Sequence, residues 1–511
     1  MPTFKDYTMN QLQLPLSFED LIPENHLVRV VNTVVDSLEL KPLYDRYKKG
    51  GCPAYHPRMM LKVMIYSFSQ KTYSSRQIAK ALRENINFMW IAGGNKPDFR
   101  TITRFRLDMK DIIEDVFYEV VRLLIEKKYI KLQNYFLDGT KIEANANKYT
   151  FVWNKSVDNY DRRLDEKIKT HLREIDHIVA EENQIYLDDD LEETGENSRI
   201  TASQVEAVVE SIDKKLTENP DDKVLKKKAR EFKKDILPRK QKYEESFAVF
   251  KGRNSYSKTD HDATFMRMKE DAMLNGQLKP GYNIQTGTEN RYIVGFTIHP
   301  NPTDTKTMIP HLNHLEERLG RLPENIIADA GYGSEENYEY LEEKNLGSYV
   351  KYNKFHWEKK KKNRENPYLA DNLPYIPETD SFVCRNGKRL VHVGKRKYVT
   401  EAGYETTRDY YRCEDCSGCP YAAECKNTDK NRTIRVSHRL NELKRKANEN
   451  LCSEKGLELR SQRVVEVEQV FGRMKGCWSF RRIHLRGTDK VKIEWGLLAI
   501  AHNITKMALE E

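Results

Sequence analysis

Several features are scarce in this 511-residue sequence, and each absence narrows the class of protein. No apolar run approaches the ~20 residues that a bilayer-spanning helix needs, and the opening residues MPTFKDYTMN lack the charged-then-apolar layout of a secretory signal. The eight cysteines are too few for a disulfide scaffold of this length. We therefore expect a cytoplasmic protein with no membrane partner.

The excess of positive charge is small as well. The chain has 87 Lys and Arg against 78 Asp and Glu, a net charge of +9, which permits a polyanionic partner without requiring one. Charged residues make up 32% of the chain, above the usual level of about a quarter. At roughly 100–200 residues per domain, the length predicts three or four structural units.

Residues 1–130 are predicted to form a helical N-terminal domain. A short helix after Ser74, a Gly93–Gly94 turn and an Arg-rich helix capped by Asp98 or Thr101 are typical of a helix-turn-helix DNA reader. Its candidate DNA-binding side chains are Arg100, Arg104 and Arg106. The alternative is an ordinary helical bundle with a solvated basic face.

Two short apolar strands are each followed by an aspartate and then by glycine. One, Tyr135–Leu137, precedes Asp138 and Gly139, where we expect a turn; the other, Ile326–Ala328, precedes Asp329. In one sheet the two carboxylates would lie at the same edge, where like charges this close require a divalent cation between them. The pattern predicts a Mg²⁺ site for phosphodiester chemistry, whereas a turn former or helix cap is the alternative for either residue alone.

A third acidic ligand is expected from a helix packed on that sheet. A buried stripe is predicted at Val464, Val467, Phe471 and Met474. At ~100° per residue, Glu468 lies about 80° from the centre of this stripe and Glu466 about 120°. Glu468 is therefore the better candidate, and Glu466 the alternative. Lys475, two turns later on the side of Glu468, could hold a DNA phosphate.

Four cysteines follow one another closely, in the pattern C-x2-C-x2-C-x5-C: Cys413, Cys416, Cys419 and Cys425. Four thiolates in so short a run can meet one tetrahedral Zn²⁺, and Cys384 could replace one of them. An iron–sulfur cluster and free thiols are the alternatives. Cys52, Cys452 and Cys477 are read as isolated thiols.

The segments FLDGTKIEANANKYTFVW, ADAGYGS and VEVEQVFGRMK, followed by FRRIHLRG and KIEWGLLAIAHNI, resemble prokaryotic insertion-sequence transposases of the DDE type, and in particular the insertion sequence 1182 family. The similarity runs from about Met9 to the C-terminus with the motifs in order. It implies an α/β (α+β) chain with an RNase H-like catalytic core, in which Asp138, Asp329 and Glu468 form the metal-binding triad. Related transposases carry a Tyr and an Arg at fixed steps before the Glu, where this sequence has Ser461 and Val464.

The resemblance also implies a domain plan. After the N-terminal domain come a first part of the core (131–155), an inserted amphipathic helical region (156–250), a second part of the core (251–350), a basic linker with a small Cys-rich ribbon (351–430) and a basic helical part carrying Glu468 (431–511). The helical insertion is read as a solvated arm or as a contact for DNA or a second subunit.

The activity implied is cleavage and strand transfer of DNA with Mg²⁺ or Mn²⁺, on double-stranded transposon ends and target, by a nucleoid-associated homodimer or larger assembly. The residues expected to contact DNA, besides those of the N-terminal domain, are Arg463, Lys475, Trp478, Arg481, Arg482 and Arg486. Trp478 could stack on a displaced base, with a packing role as its alternative. The functional alternatives are a transposase-derived DNA-binding protein without catalysis and a metal-dependent DNA nuclease.

Overall fold

The computed structural model describes residues 17–47, 53–180, 199–218, 220–268, 276–400 and 403–510. Cys52 and Met9, where the resemblance begins, lie outside them. The chain divides into two compact units: the first comprises residues 1–142, 283–483 and 489–511, and the second residues 143–282 and 484–488. The inserted region expected at 156–250 falls within the second unit.

The N-terminal part of the first unit is helical. Its helices are α1 (Leu27–Ser37), α2 (Lys41–Tyr44), α3 (Pro57–Ser69), α4 (Ser75–Glu84), α5 (Ile86–Ile91), α6 (Phe99–Asp108) and α7 (Ile113–Glu126), with 3-10 turns at Glu19–Leu21 and Met109–Asp111. Asp98 caps α6 by accepting a hydrogen bond from the Thr101 backbone N–H. Helix α3 begins at Pro57 and buries most of its residues, which makes it the centre of this bundle.

Strand β1 (Asn134–Glu143) differs from the expectation of a short strand ending in a turn. It continues through Asp138 and Gly139, and Gly139 is needed for close approach: a Cβ there would lie 2.5 Å from Oδ1 of Asp304. After Asp138, therefore, the chain stays extended because the missing side chain leaves room for a neighbouring carboxylate.

The second unit holds the insertion. Its elements are β2 (Phe151–Trp153), α8 (Asn154–Ala180), α9 (Ala202–Glu218), α10 (Lys223–Glu231), a π-helical turn (Phe232–Ile236), α11 (Leu237–Phe250), β3 (Ser255–Ser257) and β4 (Thr264–Arg267). The helices share an apolar core that includes Leu164, Val205, Ile212 and Phe232. This core explains the three- and four-residue spacing of apolar residues in an otherwise charged stretch.

Four more strands complete the central sheet, together with two helices. They are β5 (Leu278–Glu289), β6 (Tyr292–His299), α12 (Met308–Leu319), β7 (Asn325–Ala328), α13 (Glu335–Glu343) and β8 (Gly347–Val350), with a 3-10 turn at Ala330–Tyr332. In the first unit the strand order is β6-β5-β1-β7-β8; β6 is antiparallel to β5, whereas β1, β7 and β8 are parallel to one another. The start of β5 pairs with β4 in the second unit.

A five-stranded antiparallel sheet and a group of helices follow. They comprise α14 (Phe355–Glu358), α15 (Lys361–Arg364), β9 (Tyr375–Ile376), β10 (Ser381–Val383), β11 (Arg389–Val399), β12 (Glu405–Cys413), α16 (Ala422–Cys425), β13 (Thr433–Val436), α17 (His438–Cys452), α18 (Glu454–Arg463), α19 (Gln469–Gly472) and α20 (Thr488–Glu510), with 3-10 turns at Ala370–Asn372 and Pro377–Thr379. The sheet order is β13-β12-β11-β10-β9. No helix in the part of the chain that the structure describes is long and apolar enough to cross a membrane.

The helix that carries Glu468 is interrupted by two π-helical turns, Val464–Glu468 and Arg473–Cys477, on either side of α19. The expected apolar stripe is therefore wrong in part: Val464 is 52% exposed, whereas Val470 is buried with Val467 and Met474. A π turn holds one residue more than an α turn, so the buried face shifts by one position across it. Arg463, rather than Val464, therefore lies on the inward-facing side of the helix.

Candidate active site

Asp138 and Asp329 lie side by side at the edge of the central sheet. The parallel pairing of β1 with β7 runs up to Leu137 and Ala328; Asp138 is the next residue on β1, and Asp329 directly follows β7. The Asp329 carboxylate also accepts a hydrogen bond from the Gly331 N–H, 2.8 Å away, which fixes the turn that follows β7. The register of the sheet thus brings the two aspartates to neighbouring positions.

Arg463 lies between the two carboxylates. Its Nη2 is 3.3 Å from Oδ1 of Asp138 and 3.7 Å from Oδ2 of Asp329. The Arg463 side chain is only 12% exposed, and its Nε is buried without a hydrogen-bond partner among the described residues. The sequence assigned Arg463 to DNA; the structure places it within the site, where its charge offsets two neighbouring negative charges.

A third carboxylate, Asp304, was missed by the sequence analysis. Its Oδ1 accepts hydrogen bonds from the side-chain amides of Asn283 (2.7 Å) and Gln285 (2.9 Å). A Cβ built on Gly331 would lie 3.5 Å from Oδ2 of Asp304 and 3.0 Å from Oδ1 of Asp329, so both carboxylates flank that glycine. One signal for this group was present in the sequence. Asn283 and Gln285 are two residues apart on β5, and a strand places such residues on the same face.

Tyr332 lies beneath these groups. Its hydroxyl donates to Oε1 of Gln285, and the ring is completely buried. Burial raises its pKa well above the usual value, and the nearby charges of Asp304, Asp138 and Asp329 raise it further. Tyr332 therefore stays protonated and acts as a fixed donor that orients Gln285.

Basic residues lie at the same edge. Lys475 donates to the backbone oxygen of Lys141 at 3.1 Å, and so lies beside the end of β1. Burial, together with the charges of Arg463 and Arg460, lowers the pKa of Lys351, which follows β8. The edge thus combines carboxylates with cations that could meet phosphate oxygens.

Glu466 and Glu468 have different surroundings. Glu466 accepts a hydrogen bond of 2.5 Å from the backbone N–H of Arg291, in the turn between β5 and β6, and burial raises its pKa. This contact removes Glu466 from the edge that holds Asp138. The Glu468 side chain is exposed, and among the described residues it has neither a hydrogen bond nor an ion pair. The structure therefore brings together the two aspartates of the expected triad but shows no contact of Glu468 with them.

Two of the expected DNA-binding residues are buried in the helical core. Arg106 is 4% exposed, donates to the Tyr73 backbone oxygen, and has Nη1 3.5 Å from Oε1 of the fully buried Glu494. Trp478 is 5% exposed and packs edge-on against His502. The prediction that these two side chains contact DNA is wrong for this conformation, because a buried ion pair and a packed indole present no surface to a ligand.

The remaining expected contacts stay accessible. The exposed basic residues are Arg100, Arg104, Arg481, Arg482 and Arg486. Arg481 Nε donates to the Lys475 backbone oxygen at 3.3 Å, and within the second unit Arg486 Nε donates to the Asn145 backbone oxygen at 2.8 Å. At ~100° per residue, Arg106 lies about 120° from Arg100 and about 160° from Arg104 around the helix, so it falls on the buried face with Ile102 and Phe105. Grouping the three arginines by charge alone overlooked this difference.

The side chains of the cysteine segment are held by hydrogen bonds and apolar packing. Cys413 is buried, and burial together with a hydrogen bond to Cys416 raises its pKa to about 12. Cys416 accepts from the Arg432 backbone N–H, and Cys425 accepts from the Arg432 guanidinium at 2.8 Å. Among the described residues, no group of three or more His, Cys, Asp or Glu side chains is arranged to hold a metal. The zinc prediction is therefore not supported.

Two family models match the sequence. A model described as a transposase DDE domain matches residues 383–508, and one described as a transposase domain (DUF772) matches residues 16–108. No curated protein and no solved structure matches the chain. The matched segments include Glu468 and the N-terminal helices, and together they support an insertion-sequence transposase with a mixed helix and sheet fold.

Proposed function

We propose that this protein is a DNA transposase that cleaves DNA at the ends of a mobile element and joins the freed ends to target DNA. The observation that carries the proposal is the placement of Asp138 and Asp329 on neighbouring parallel strands with one cation, Arg463, between them. Like charges are brought this close in proteins chiefly where a cation is to be bound.

The sheet supports an RNase H-like core. Numbered by their order along the chain, the strands of the first unit lie in the order 3-2-1-4-5, with the first, fourth and fifth parallel. In this arrangement the first aspartate lies on the central strand and the second directly after its parallel neighbour. The motifs quoted above favour the insertion sequence 1182 family within the insertion-sequence transposases.

The π turn supports Glu468 as the third acidic residue. Arg463 and Glu468 are five residues apart, which in an α-helix places them on different faces. Because the π turn Val464–Glu468 adds one residue, they take the relative position that residues four apart have in an α-helix. The insertion also accounts for the missing Arg four residues before Glu468: Arg463 takes its place.

The residues at the sheet edge fit a hard divalent cation. Mg²⁺ or Mn²⁺ would be held by Asp138 and Asp329, with Glu468 completing the set, and Arg463 already occupies the cationic position between the aspartates. When bound, such an ion activates the attacking oxygen and stabilises the leaving oxygen of a phosphodiester. Asp304, held by its amide partners, lies against the backbone at Gly139 and Gly331.

The other residues bind and position DNA. Lys475 lies at the end of β1 and would neutralise a phosphate next to the site, while the exposed arginines Arg100, Arg104, Arg481, Arg482 and Arg486 would hold the flanking backbone. Pairing two transposon ends requires at least two copies of the chain, so we infer that the protein acts as a homodimer or larger assembly on DNA.

The proposal is tested by incubating the protein with Mg²⁺ and DNA that contains an element end. Cleavage with joining supports a transposase, cleavage alone supports a nuclease, and shifted but uncut DNA supports a DNA-binding protein without catalysis. Asp329→Asn is expected to retain binding and abolish cleavage. Asp45→Asn, at an exposed aspartate that directly follows α2, is the matched control and should cut like the wild type. Cutting retained by Asp329→Asn would show that the site is wrong.

A further inference from the structure

A cavity of about 360 Å³ lies between helix α17 and the segment that follows β8. It is formed by residues of the first unit alone, and its volume is within the range of small-molecule sites. It includes the aromatic and basic stretch KFHWEKKKKNR, residues 354–364, which the active site does not use.

One wall is a single face of α17. Asn441, Lys444 and Asn448 lie at i, i+3 and i+7, so their side chains line the cavity together. Within the described residues, the Asn441 side chain has no hydrogen bond, the Asn448 Nδ2 donates to nothing, and the Lys444 ammonium has no carboxylate partner. The Asn448 Oδ1 accepts from the Cys452 thiol at 3.5 Å, so Asn448 offers a donor and Asn441 offers both a donor and an acceptor. Such amide groups match the hydrogen-bonding edge of a nucleobase.

The opposite wall carries Trp357. Its side chain is 38% exposed, while the other four tryptophans are buried or half-buried. The Asn363 amide donates to the Trp357 backbone oxygen at 2.8 Å, and the Lys354 ammonium lies 5.4 Å from the ring centroid. An exposed indole held in this way is a stacking surface for an unpaired base.

The charges around the cavity favour an anion. Its two carboxylates face groups of the protein: Asp371 pairs with Lys354 at 3.3 Å, and Glu358 lies near Tyr352, where its charge adds to burial in raising the pKa of that tyrosine. The adjoining lysines Lys360, Lys361 and Lys362 are exposed and have no ion pair among the described residues. Unpaired lysines beside an aromatic platform are typical of surfaces that follow a single nucleic-acid strand.

The cavity begins next to the candidate active site. Lys351 donates its backbone N–H to Ala328, the residue before Asp329, and Tyr352, which lines the cavity, is the next residue in the chain. Consecutive Cα atoms are about 3.8 Å apart. Tyr352, in the lining of the cavity, is therefore only one residue beyond the backbone contact with the strand that precedes Asp329.

We propose that this cavity binds a nucleotide with an unpaired base, stacked on Trp357 and hydrogen-bonded by Asn441 and Asn448. The proposal deepens the proposed function and rests on it in one respect: the nucleotide is taken to belong to a DNA strand whose backbone lies at the carboxylates. A free nucleotide offers the same chemistry, and the experiment separates the two sources.

The test measures binding without metal, in EDTA, so that its result does not depend on cleavage. A labelled single-stranded oligonucleotide is titrated with wild type, Trp357→Ala and Asn441→Ala/Asn448→Ala, and binding is followed by fluorescence anisotropy. Loss of one stack of about 1–3 kcal/mol predicts a Kd about 5- to 150-fold higher for Trp357→Ala. Tyr149→Ala, at a tyrosine that is 80% exposed in the second unit, is the matched control and should bind like the wild type.

Intrinsic fluorescence provides a readout that a structural role would not move. An unlabelled oligonucleotide should quench the tryptophan fluorescence of the wild type, and Trp357→Phe, which keeps an aromatic ring, should abolish this quenching while retaining most of the affinity. Quenching by the oligonucleotide but not by deoxyadenosine monophosphate assigns the site to DNA, and quenching by both assigns it to a free nucleotide as well. Unchanged affinity and unchanged quenching in the Trp357 variants would overturn the proposal, whatever the outcome of the Asp329→Asn cleavage test.

Discussion

Arg463 offers the sharpest perturbation of the candidate site. If its guanidinium takes the place of a metal between Asp138 and Asp329, then Arg463→Ala should weaken the metal-free protein and strengthen metal binding. Both effects follow from two contacts of the guanidinium, which lies 3.3 Å from Oδ1 of Asp138 and 3.7 Å from Oδ2 of Asp329. A role for Arg463 confined to DNA predicts neither effect.

The magnitude follows from these distances. At an effective dielectric constant near 20, each contact contributes roughly 4–5 kcal/mol of attraction, before the desolvation of the guanidinium is subtracted. Asp329 is 39% exposed, so its contribution is reduced by solvent, whereas the Arg463 and Asp138 side chains are mostly buried. We expect a net loss of about 3 kcal/mol in the free energy of unfolding, in line with broken buried ion pairs.

The assay is thermal denaturation in EDTA and across a Mn²⁺ titration. In EDTA the variant should unfold several degrees below the wild type. Because no side chain has to be displaced in the variant, its Kd for Mn²⁺ should be at least about tenfold lower, and saturating metal should raise its Tm more than that of the wild type. Arg460→Ala is the control, since Arg460 lies on the same helix but has no ion pair among the described residues. Its guanidinium donates to the Leu451 backbone oxygen at 3.1 Å and lies 4.9 Å from the centroid of the Phe355 ring.

An equal metal-induced rise in Tm for wild type and Arg463→Ala would refute the reasoning. It would mean that the metal, if bound, does not compete with the guanidinium. If Arg463→Ala were as stable as the wild type in EDTA, the expected loss of stability would be refuted, because the protein would then tolerate two adjacent carboxylates without a cation.

Two further predictions concern the helices that surround the sheet. Glu494→Leu should destabilise the protein by about 3–5 kcal/mol in chemical denaturation, because Arg106 is left buried without a counter-charge, and Arg106→Met with Glu494→Leu should recover most of the loss. Burial raises the pKa of Glu114, but the contact with His314, whose Nε2 lies 3.3 Å from Oε1, and the charges of Lys492 and Arg318 outweigh it and lower that pKa from its usual 4.5 to about 2. This carboxylate therefore adds stability above pH 4.5 that is lost as the pH falls through 2; Glu114→Gln should cost up to about 3 kcal/mol at pH 7 and flatten the acid limb of the stability curve.

Each of these predictions can fail clearly. A double variant no better than Glu494→Leu would show that the buried pair is not what links these helices. An acid unfolding midpoint unchanged by Glu114→Gln would show that its carboxylate carries no stabilising charge in the folded state.

Local sequence predicted the helical and extended segments well, where apolar spacing and caps agree. Ser334 was expected to begin a helix, and it caps α13 by accepting from the Asn337 N–H. The prediction of the buried helix face failed where one extra residue in a turn changed the helical periodicity. The π turn shifted the buried face by one position, so Val464 became exposed and Arg463 turned inward.

The sequence by itself determined which residues could carry the chemistry: two aspartates after apolar strands, and a glutamate followed seven residues later by a lysine. These signals are local, because strand ends, caps and helical spacing depend on near neighbours in the chain. Only the tertiary structure decided that Asp304 approaches Gly139, and that Arg463 lies between the carboxylates of Asp138 and Asp329, which precede it by 325 and 134 residues in the chain. Such contacts depend on sheet register and on the packing of a helix over strands distant in sequence, which periodicity within one segment does not specify.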